Sequence, residues 1–231
     1  MSQLSLNIIP RLPYSPDNFV LHEGVREAYA AVKNTINYNG YSVLWIHAPK
    51  RFGKTHFSVR IINEALSMQK YPKLIEGKNF AEFLKNGFLK NELIEDQLFI
   101  VDDAEEFFNN IHPGDSGEFV NFVEHLRQHA GHLIFLSNTE LGSFPCDGHV
   151  TSRLKAGLFA TFSSPAEKDM HALVNHLARQ RGLSLNEKRI DYVSKRIRRD
   201  IPYLENYLDR VSHLSSVLSK SVTRPILANA L

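Results

Sequence analysis

The sequence predicts an α/β fold in which a three-layer parallel sheet is followed by a small all-helical domain. Short apolar runs alternate with segments of helical periodicity up to residue 162, a pattern typical of a parallel sheet covered by helices on both faces. A phosphate-loop pattern lies between the first run and the helical segment after it. After Pro165 only helical segments follow, so a domain boundary is expected near 163–165.

The elements are predicted from the spacing of apolar residues. In the first part of the chain, helices are expected at 24–37, 55–69, 80–86 and 118–128, and strands at 43–48, 73–76, 98–101, 133–136 and 158–162. The last part predicts three helices, at 167–180, 187–198 and 203–218. The resulting scheme has an N-terminal arm at 1–18, an α/β domain at 19–164 and a helical domain at 165–231.

Composition excludes several classes of protein. The apolar fraction of 43% and the charged fraction of 23% are those of an ordinary globular protein. No apolar run approaches the roughly 20 residues that span a bilayer, and the N-terminus lacks a secretory-signal pattern. The single cysteine, Cys146, excludes an internal disulfide and a cysteine zinc site. These features predict a cytoplasmic protein.

Charge is distributed unevenly along the chain. Residues 1–150 contain 13 Lys and Arg against 18 Asp and Glu, and residues 151–231 contain 14 against 7. The balances of −5 and +7 sum to the overall +2. A basic C-terminal part is compatible with an anionic partner and equally with a solvated basic surface, so charge alone does not predict DNA binding.

The firmest functional prediction is a nucleotide-phosphate loop at residues 48–55, in the sequence APKRFGKT. Such a loop needs inward backbone N–H groups, a helix N-terminus, a lysine and a hydroxyl. Gly53 lets the backbone approach the phosphates, Lys54 is expected to reach the β- and γ-phosphates, and Thr55 to bind Mg2+. Ala48 replaces the usual first glycine and predicts an altered first turn, because Ala lacks glycine's freedom at positive φ.

Two further strands are predicted to end in polar residues. The run at 98–101 is followed by Asp102 and Asp103, at the point where P-loop proteins place a magnesium-binding carboxylate. Asp102 is expected to hold the ion through water, and Asp103 to orient an attacking water. Asn138 follows the next strand and is placed to sense the γ-phosphate, although a turn-forming Asn is nearly as common there.

Taken together, these motifs resemble the AAA+ ATPases, and within them the DnaA family of replication initiators. The run 53–56 matches that family's extended phosphate loop, 102–103 its paired acids, 150–158 its arginine-finger segment and 204–211 its last lid helix. The resemblance covers about residues 15–220 and implies an AAA+ fold that binds ATP or ADP with Mg2+. The residues that it implies are, for the nucleotide, Phe19, Val20, Pro49, Lys50, Arg51, Phe52, Gly53, Lys54, Thr55 and His56; for the metal, Thr55 and Asp102; and for catalysis, Arg153, Asp103 and Asn138.

In size and content the chain resembles the Hda family, short DnaA homologues that inactivate DnaA. This resemblance implies DnaA as a partner, with Arg153 reaching DnaA-bound ATP and promoting its hydrolysis. DnaA relatives present a lid arginine to the nucleotide where this chain has Pro202, and neither Arg198 nor Arg199 matches that motif. Pro202 and Ala48 predict weak or absent hydrolysis by the chain itself, because an arginine contact to the phosphates is missing.

Hda proteins carry a short N-terminal peptide that docks on the replicative sliding clamp. Gln3, Leu4, Ser5 and Leu6 resemble that peptide. An extended segment of this kind can insert an amide and two apolar anchors into a groove, although such a pattern also occurs by chance in disordered tails. The predicted partners are therefore DnaA and the sliding clamp, and homo-oligomer formation stays open.

Two other classes of protein share some of these features. A helicase-loader or transposition-helper ATPase would have the same DnaA-like core and would bind single-stranded DNA, which suits the basic residues after 151. A stand-alone metabolic kinase would share the loop, but the helical domain and the Ser152–Arg153 pair argue against it. The sequence leaves open whether ATP or ADP is the resting ligand.

Overall fold

The computed structural model describes residues 19–86, 97–111 and 113–231, and it divides into two compact units. One unit is Val25–Ser163, and the other is Ser164–Leu231 together with the chain up to Gly24. The described residues 19–24 therefore group with the helical part of the chain. Among the described residues, no helix combines the length and the apolar character needed to cross a membrane.

A five-stranded sheet forms the centre of the first unit. In chain order its strands are β1 (Ser42–His47), β2 (Tyr71–Glu76), β3 (Gln97–Asp102), β4 (His132–Ser137) and β5 (Leu158–Thr161). Their spatial order is β2-β3-β4-β1-β5, and every pairing is parallel. The parallel sheet predicted from the apolar runs is confirmed, since each predicted strand overlaps an observed one.

The helices of this part of the chain are α1 (Glu23–Asn37), α2 (Lys54–Ser67), α3 (Gly77–Asn86), α4 (Glu105–Phe108), α5 (Pro113–Gln128) and α6 (Gly148–Lys155). Helices α4 and α6 were not predicted. Helix α5 begins at Pro113 rather than at Glu118, because proline fits the first helical position, where its missing N–H is not needed. Helix α6 is capped by Asp147, whose side chain accepts a hydrogen bond from the Val150 N–H (2.9 Å).

Aromatic rings fill much of the core beside the sheet. Trp45 on β1 is 1% exposed, and its ring centroid lies 5.5 Å, 5.4 Å and 5.5 Å from those of Phe108, Phe135 and Phe144. Because protein interiors are close-packed, a core of this kind holds the strand ends and the loops after them in defined positions.

The second unit is helical. After a 3-10 turn at Glu167–Asp169, its α-helices are α7 (Met170–Gln180), α8 (Glu187–Ser194), α9 (Ile201–Val217) and α10 (Arg224–Asn229). The first three were predicted, although α8 ends at Ser194 instead of residue 198, and α10 was not. The buried Tyr207 hydroxyl donates to the Leu227 carbonyl (3.0 Å), which joins α9 to α10.

Candidate functional site

The phosphate loop follows β1 at the carboxyl edge of the sheet. Strand β4 lies beside β1, and β3 beside β4, so the loops after these three strands are neighbours. The Ala48 N–H donates to the Ser137 carbonyl (2.7 Å), and the Ala104 N–H donates to the Leu136 carbonyl (2.9 Å). Open parallel sheets bind ligands in the crevice outside such strand ends.

Two residues of the loop have a left-handed backbone, Arg51 with φ 66° and Gly53 with φ 87°. Between Pro49 and Phe52 the loop makes a tight turn, closed by the Phe52 N–H donating to the Pro49 carbonyl (3.2 Å). N–H groups in turns of this kind form an anion-binding concavity, to which the N-terminus of α2 adds its dipole. Ala48 is fully buried and has no positive φ, so the freedom of a glycine is not used there.

The first two residues of α2 both contact the paired acids. Lys54 is 8% exposed, and its Nζ lies 3.0 Å from Asp103 Oδ1. The Thr55 hydroxyl donates a hydrogen bond to the Asp102 carboxylate. Burial raises the pKa of Asp102 above its usual value, and the hydrogen bond from Thr55 opposes that shift. His56 lies in the same first turn of the helix.

Asn138 is held at this edge by its backbone. Its N–H donates to Glu105 Oε2 (3.1 Å), and its carbonyl oxygen lies 3.2 Å from His47 Nε2. Its side-chain Oδ1 accepts a hydrogen bond from the Thr139 hydroxyl (3.0 Å). Glu105, only 8% exposed, was not predicted from the sequence. In the sequence, Glu105 is visible only as a third acidic residue, two positions after Asp103.

The residues at this edge fit a nucleoside phosphate with Mg2+. The loop offers a concave set of N–H groups, and the buried Lys54 adds a positive charge beside it. Thr55 and Asp102 present two oxygens that already contact each other. Mg2+ is typically bound by one or two protein oxygens together with phosphates of the substrate, so two such side chains match its needs.

Arg153 lies at the opposite, amino edge of the sheet. It lines a cavity together with Ser42, the first residue of β1, and Leu158, the first residue of β5. Strands of six residues separate the two edges by about 20 Å. The Arg153 guanidinium donates from Nε (3.0 Å) and Nη2 (2.7 Å) to Glu124 Oε1, and from Nη1 to the His149 carbonyl (3.0 Å).

Other residues named in the sequence analysis belong to the second unit or lie outside the described residues. Phe19 and Val20 fall in the second unit, where Val20 packs against the helical core. Pro202 occupies the first turn of α9, and Arg198 lies over the Tyr203 ring at 5.8 Å. The predicted clamp peptide, Gln3, Leu4, Ser5 and Leu6, lies outside the described residues.

A sheet of this order, with a phosphate loop after β1 and paired acids after β3, defines the AAA+ class of P-loop proteins when a helical lid follows. Residues 166–231 match the family model described as "Hda, lid domain". The chain is also 24% identical over 230 residues to the chromosomal replication initiator protein DnaA of Lactiplantibacillus plantarum, covering 94% of this chain and 50% of the relative. The chain is therefore similar to DnaA proteins over most of its length, and its helical domain is similar to the Hda lid.

Solved structures agree on the fold. Domain III of the Thermotoga maritima replication initiation protein DnaA superposes with a TM-score of 0.73 at 19% identity, covering 96% of this chain and 97% of that one. A replication initiator DnaA bound to AMPPCP and single-stranded DNA gives 0.68 at 20% identity, covering 90% and 69%. The predicted AAA+ fold and DnaA resemblance are confirmed. The chain spans about half the length of the curated relatives it matches.

Proposed function

We propose that this chain is a regulator of replication initiation that binds an adenine nucleotide and the sliding clamp and promotes hydrolysis of ATP bound to DnaA. The observation that carries the proposal is the position of Arg153. It lies about 20 Å, the length of a six-residue strand, from the phosphate-loop edge of its own sheet. An arginine so placed is remote from its own loop, so the nucleotide that it acts on would be that of a neighbouring AAA+ protein.

The nucleotide is proposed to lie on the phosphate loop. Backbone N–H groups near Gly53 and the charge of Lys54 would bind its phosphates, while Thr55 and Asp102 would hold Mg2+. The bound nucleotide would supply a phosphate anhydride next to these groups, and Asp103 and Asn138 would stand near its terminal phosphate. Because Pro202 provides no guanidinium, intrinsic hydrolysis is expected to be slow. ATP or ADP would then act mainly as a structural ligand.

Arg153 would act on the ATP of DnaA by placing its guanidinium against the charge that develops during phosphoryl transfer. Trans-acting arginines of this kind raise the rate by about 10³-fold or more. In the free chain, Glu124 takes two of the Arg153 donors. These donors can bond to the ATP of DnaA only if its phosphates replace Glu124 as the acceptor.

The test compares variants in the hydrolysis of radiolabelled ATP bound to purified DnaA, with clamp present. Arg153→Ala is expected to lower the stimulated rate by about 10³-fold, towards that of DnaA alone. Arg153→Lys should recover little, because lysine lacks the planar fork. Lys155→Ala is the matched control, since Lys155 is an exposed cation in the same helix. Stimulation by Arg153→Ala equal to that of the parent would refute the proposal.

A second candidate function is a helicase-loader or transposition-helper ATPase that binds single-stranded DNA. Its specific support is Tyr192 in the helical unit, which has Arg196 and Arg224 over its ring at 4.1 Å and 5.6 Å. Rings and guanidinium groups of this kind bind bases and phosphates of single strands. Salt-dependent binding of single-stranded DNA, without binding to clamp or stimulation of DnaA, would favour this candidate.

A further inference from the structure

A cavity of about 530 Å³ opens at the amino edge of the sheet, away from the phosphate loop. It is formed by the end of α1, the starts of β1 and β5, and parts of α5 and α6. The residues that matter here are Thr35, Tyr41, Val123, Glu124, Arg127 and Arg153. Small-molecule sites in proteins have volumes of about 300–1,000 Å³, so this cavity is of the size that holds a metabolite.

Two buried hydroxyl groups in this cavity have no hydrogen-bond partner among the described residues. Thr35 is 1% exposed, and neither its Oγ1 nor Tyr41 Oη is bonded to any part of the chain that the structure describes. The Ser42 hydroxyl, also in the wall, lies 2.8 Å from His132 Nδ1. Buried hydroxyls are nearly always bonded in folded proteins, so an occupant that accepts hydrogen bonds would complete this site.

The charges of the cavity favour an anion. Arg127 and Arg153 contribute two cations against the single carboxylate of Glu124, which is bound to Arg153 (2.7 Å). Within residues 19–86, 97–111 and 113–231, Arg127 has no ion-pair or hydrogen-bond partner. Burial, followed by the charge of Glu124, raises the pKa of Tyr41 to about 12. Its hydroxyl therefore stays protonated and remains a donor.

The rest of the wall is apolar. Val43 and Val123 are 3% and 2% exposed, and Leu158 lies at the rim with half of its surface exposed. An occupant with one anionic group and an apolar body would satisfy both parts of the wall, because its charge would face Arg127 while its body covered the valines. Inorganic phosphate alone would leave the apolar part uncovered.

We propose that this cavity binds a small organic anion that carries a carboxylate or a phosphate on an apolar body. The site goes beyond the proposed function, since it lies at the edge opposite the phosphate loop and needs no nucleotide. Because Arg153 also lines the cavity, the anion of the ligand competes with Glu124 for its guanidinium. Binding here would consequently change how Arg153 is held.

The experiment titrates three probes into the full chain by calorimetry: 1-naphthoate, 1-naphthyl phosphate and the uncharged 1-naphthol. The two anions are expected to bind, and 1-naphthol to bind at least about 10-fold more weakly, because it lacks the ionised group that Arg127 would bond. The probe that binds more tightly shows whether the natural ligand carries a carboxylate or a phosphate. Arg127→Gln should weaken binding of the preferred anion by about 10-fold, and Tyr41→Phe by about 3-fold.

Two control variants separate this site from others. Arg196→Gln removes an arginine from the helical unit and should leave the affinity within about 2-fold. Lys54→Ala disables the phosphate loop and should leave naphthyl phosphate binding intact, whereas its loss would place the probe on that loop and overturn the proposal. The proposal is also overturned if neither anion binds at millimolar concentration, or if 1-naphthol binds as tightly as the anions. It is overturned as well if Arg127→Gln and Tyr41→Phe are both folded by circular dichroism and both bind the anion normally.

Discussion

At the scale of single residues, Gly77 lies very close to the backbone of the paired acids. A Cβ at this position would overlap the carbonyl oxygen of Asp103 and crowd Ala104. Asp103 in turn holds Lys54 through the 3.0 Å ion pair. The first residue of α3 therefore helps to fix the lysine of the loop, although α3 itself carries none of the predicted site residues.

We predict that Gly77→Ala lowers the free energy of unfolding by about 1–3 kcal/mol, because the added methyl forces the Asp103–Ala104 backbone to move. The same movement should weaken nucleotide binding by displacing the partner of Lys54. Urea denaturation and titration with ADP would measure the two effects.

Gly117→Ala is the matched control for this change. Gly117 lies within α5, and a Cβ there would meet no atom within 4 Å. Alanine is the better helix former, so this variant should be neutral or up to about 1 kcal/mol more stable. Equal stability of both variants would show that the Gly77–Asp103 contact relaxes freely, contrary to our expectation.

At the scale of elements, the segment that leads into α1 contains a buried histidine. His22 is 2% exposed, and neither ring nitrogen has a hydrogen-bond partner among the described residues. Burial lowers the pKa of His22 below 6.5, and the charge of Asp169 partly opposes the shift. The Asp169 carboxylate is itself held by the Glu23 N–H (2.8 Å).

A pH dependence follows from this burial. Because the pKa of His22 is lower in the folded than in the unfolded chain, the unfolded chain binds more protons as the pH falls below about 6.5. Because of His22, the free energy of unfolding should thus fall as the pH is lowered from 7.5 to 5. His22→Leu should flatten that part of the curve, as measured by urea denaturation at a series of pH values.

His171→Gln serves as the control, because His171 is in the same unit but is 41% exposed and paired with Glu187 at 2.9 Å. Its removal should leave the downward slope below pH 6.5 in place. If the slope persisted in His22→Leu and disappeared in His171→Gln, the titrating group would be His171. Our assignment of the pH dependence to His22 would then be wrong.

The sequence predicted the elements with clear apolar patterns and missed three short helices, α4, α6 and α10. Every strand except β2 had a continuous apolar run, and α2 and α9 had long helical patterns. Helix α6, by contrast, has eight residues and begins with Gly148, so its apolar positions are too few to show a period. The same is true of α10, with six residues. Helices of this length form mainly because tertiary packing and caps hold them.

At the scale of the whole molecule, the sequence placed the phosphate loop and the paired acids at one edge, because the carboxyl ends of parallel strands must meet there. It did not predict which acid pairs with Lys54, since that depends on the left-handed backbone of Asp103 (φ 50°). The cavity around Arg153 was not predicted from the sequence either. Its wall combines residues from 34 to 158, and no local pattern links positions so far apart.

The proposed regulator also depends on the clamp peptide predicted near the start of the chain. The peptide at Gln3–Leu6 lies outside the described residues, and its role in clamp binding is predicted from its sequence alone. Deleting Met1–Asn7 should abolish binding to purified sliding clamp, because the amide and the two apolar anchors are removed together. Calorimetric titration of the clamp measures this, and the midpoint of thermal unfolding should stay within about 2 °C.

The double variant Gln3→Ala, Leu6→Ala refines this experiment, since it keeps the length of the arm and removes only the anchors. It should weaken clamp binding by at least about 10-fold, which matches the loss of one bonded amide and one buried leucine. The matched control, Asn7→Ala, changes a neighbour outside the predicted anchors and should bind normally. Clamp binding that survives both the deletion and the double variant would locate the clamp contact on one of the folded units instead.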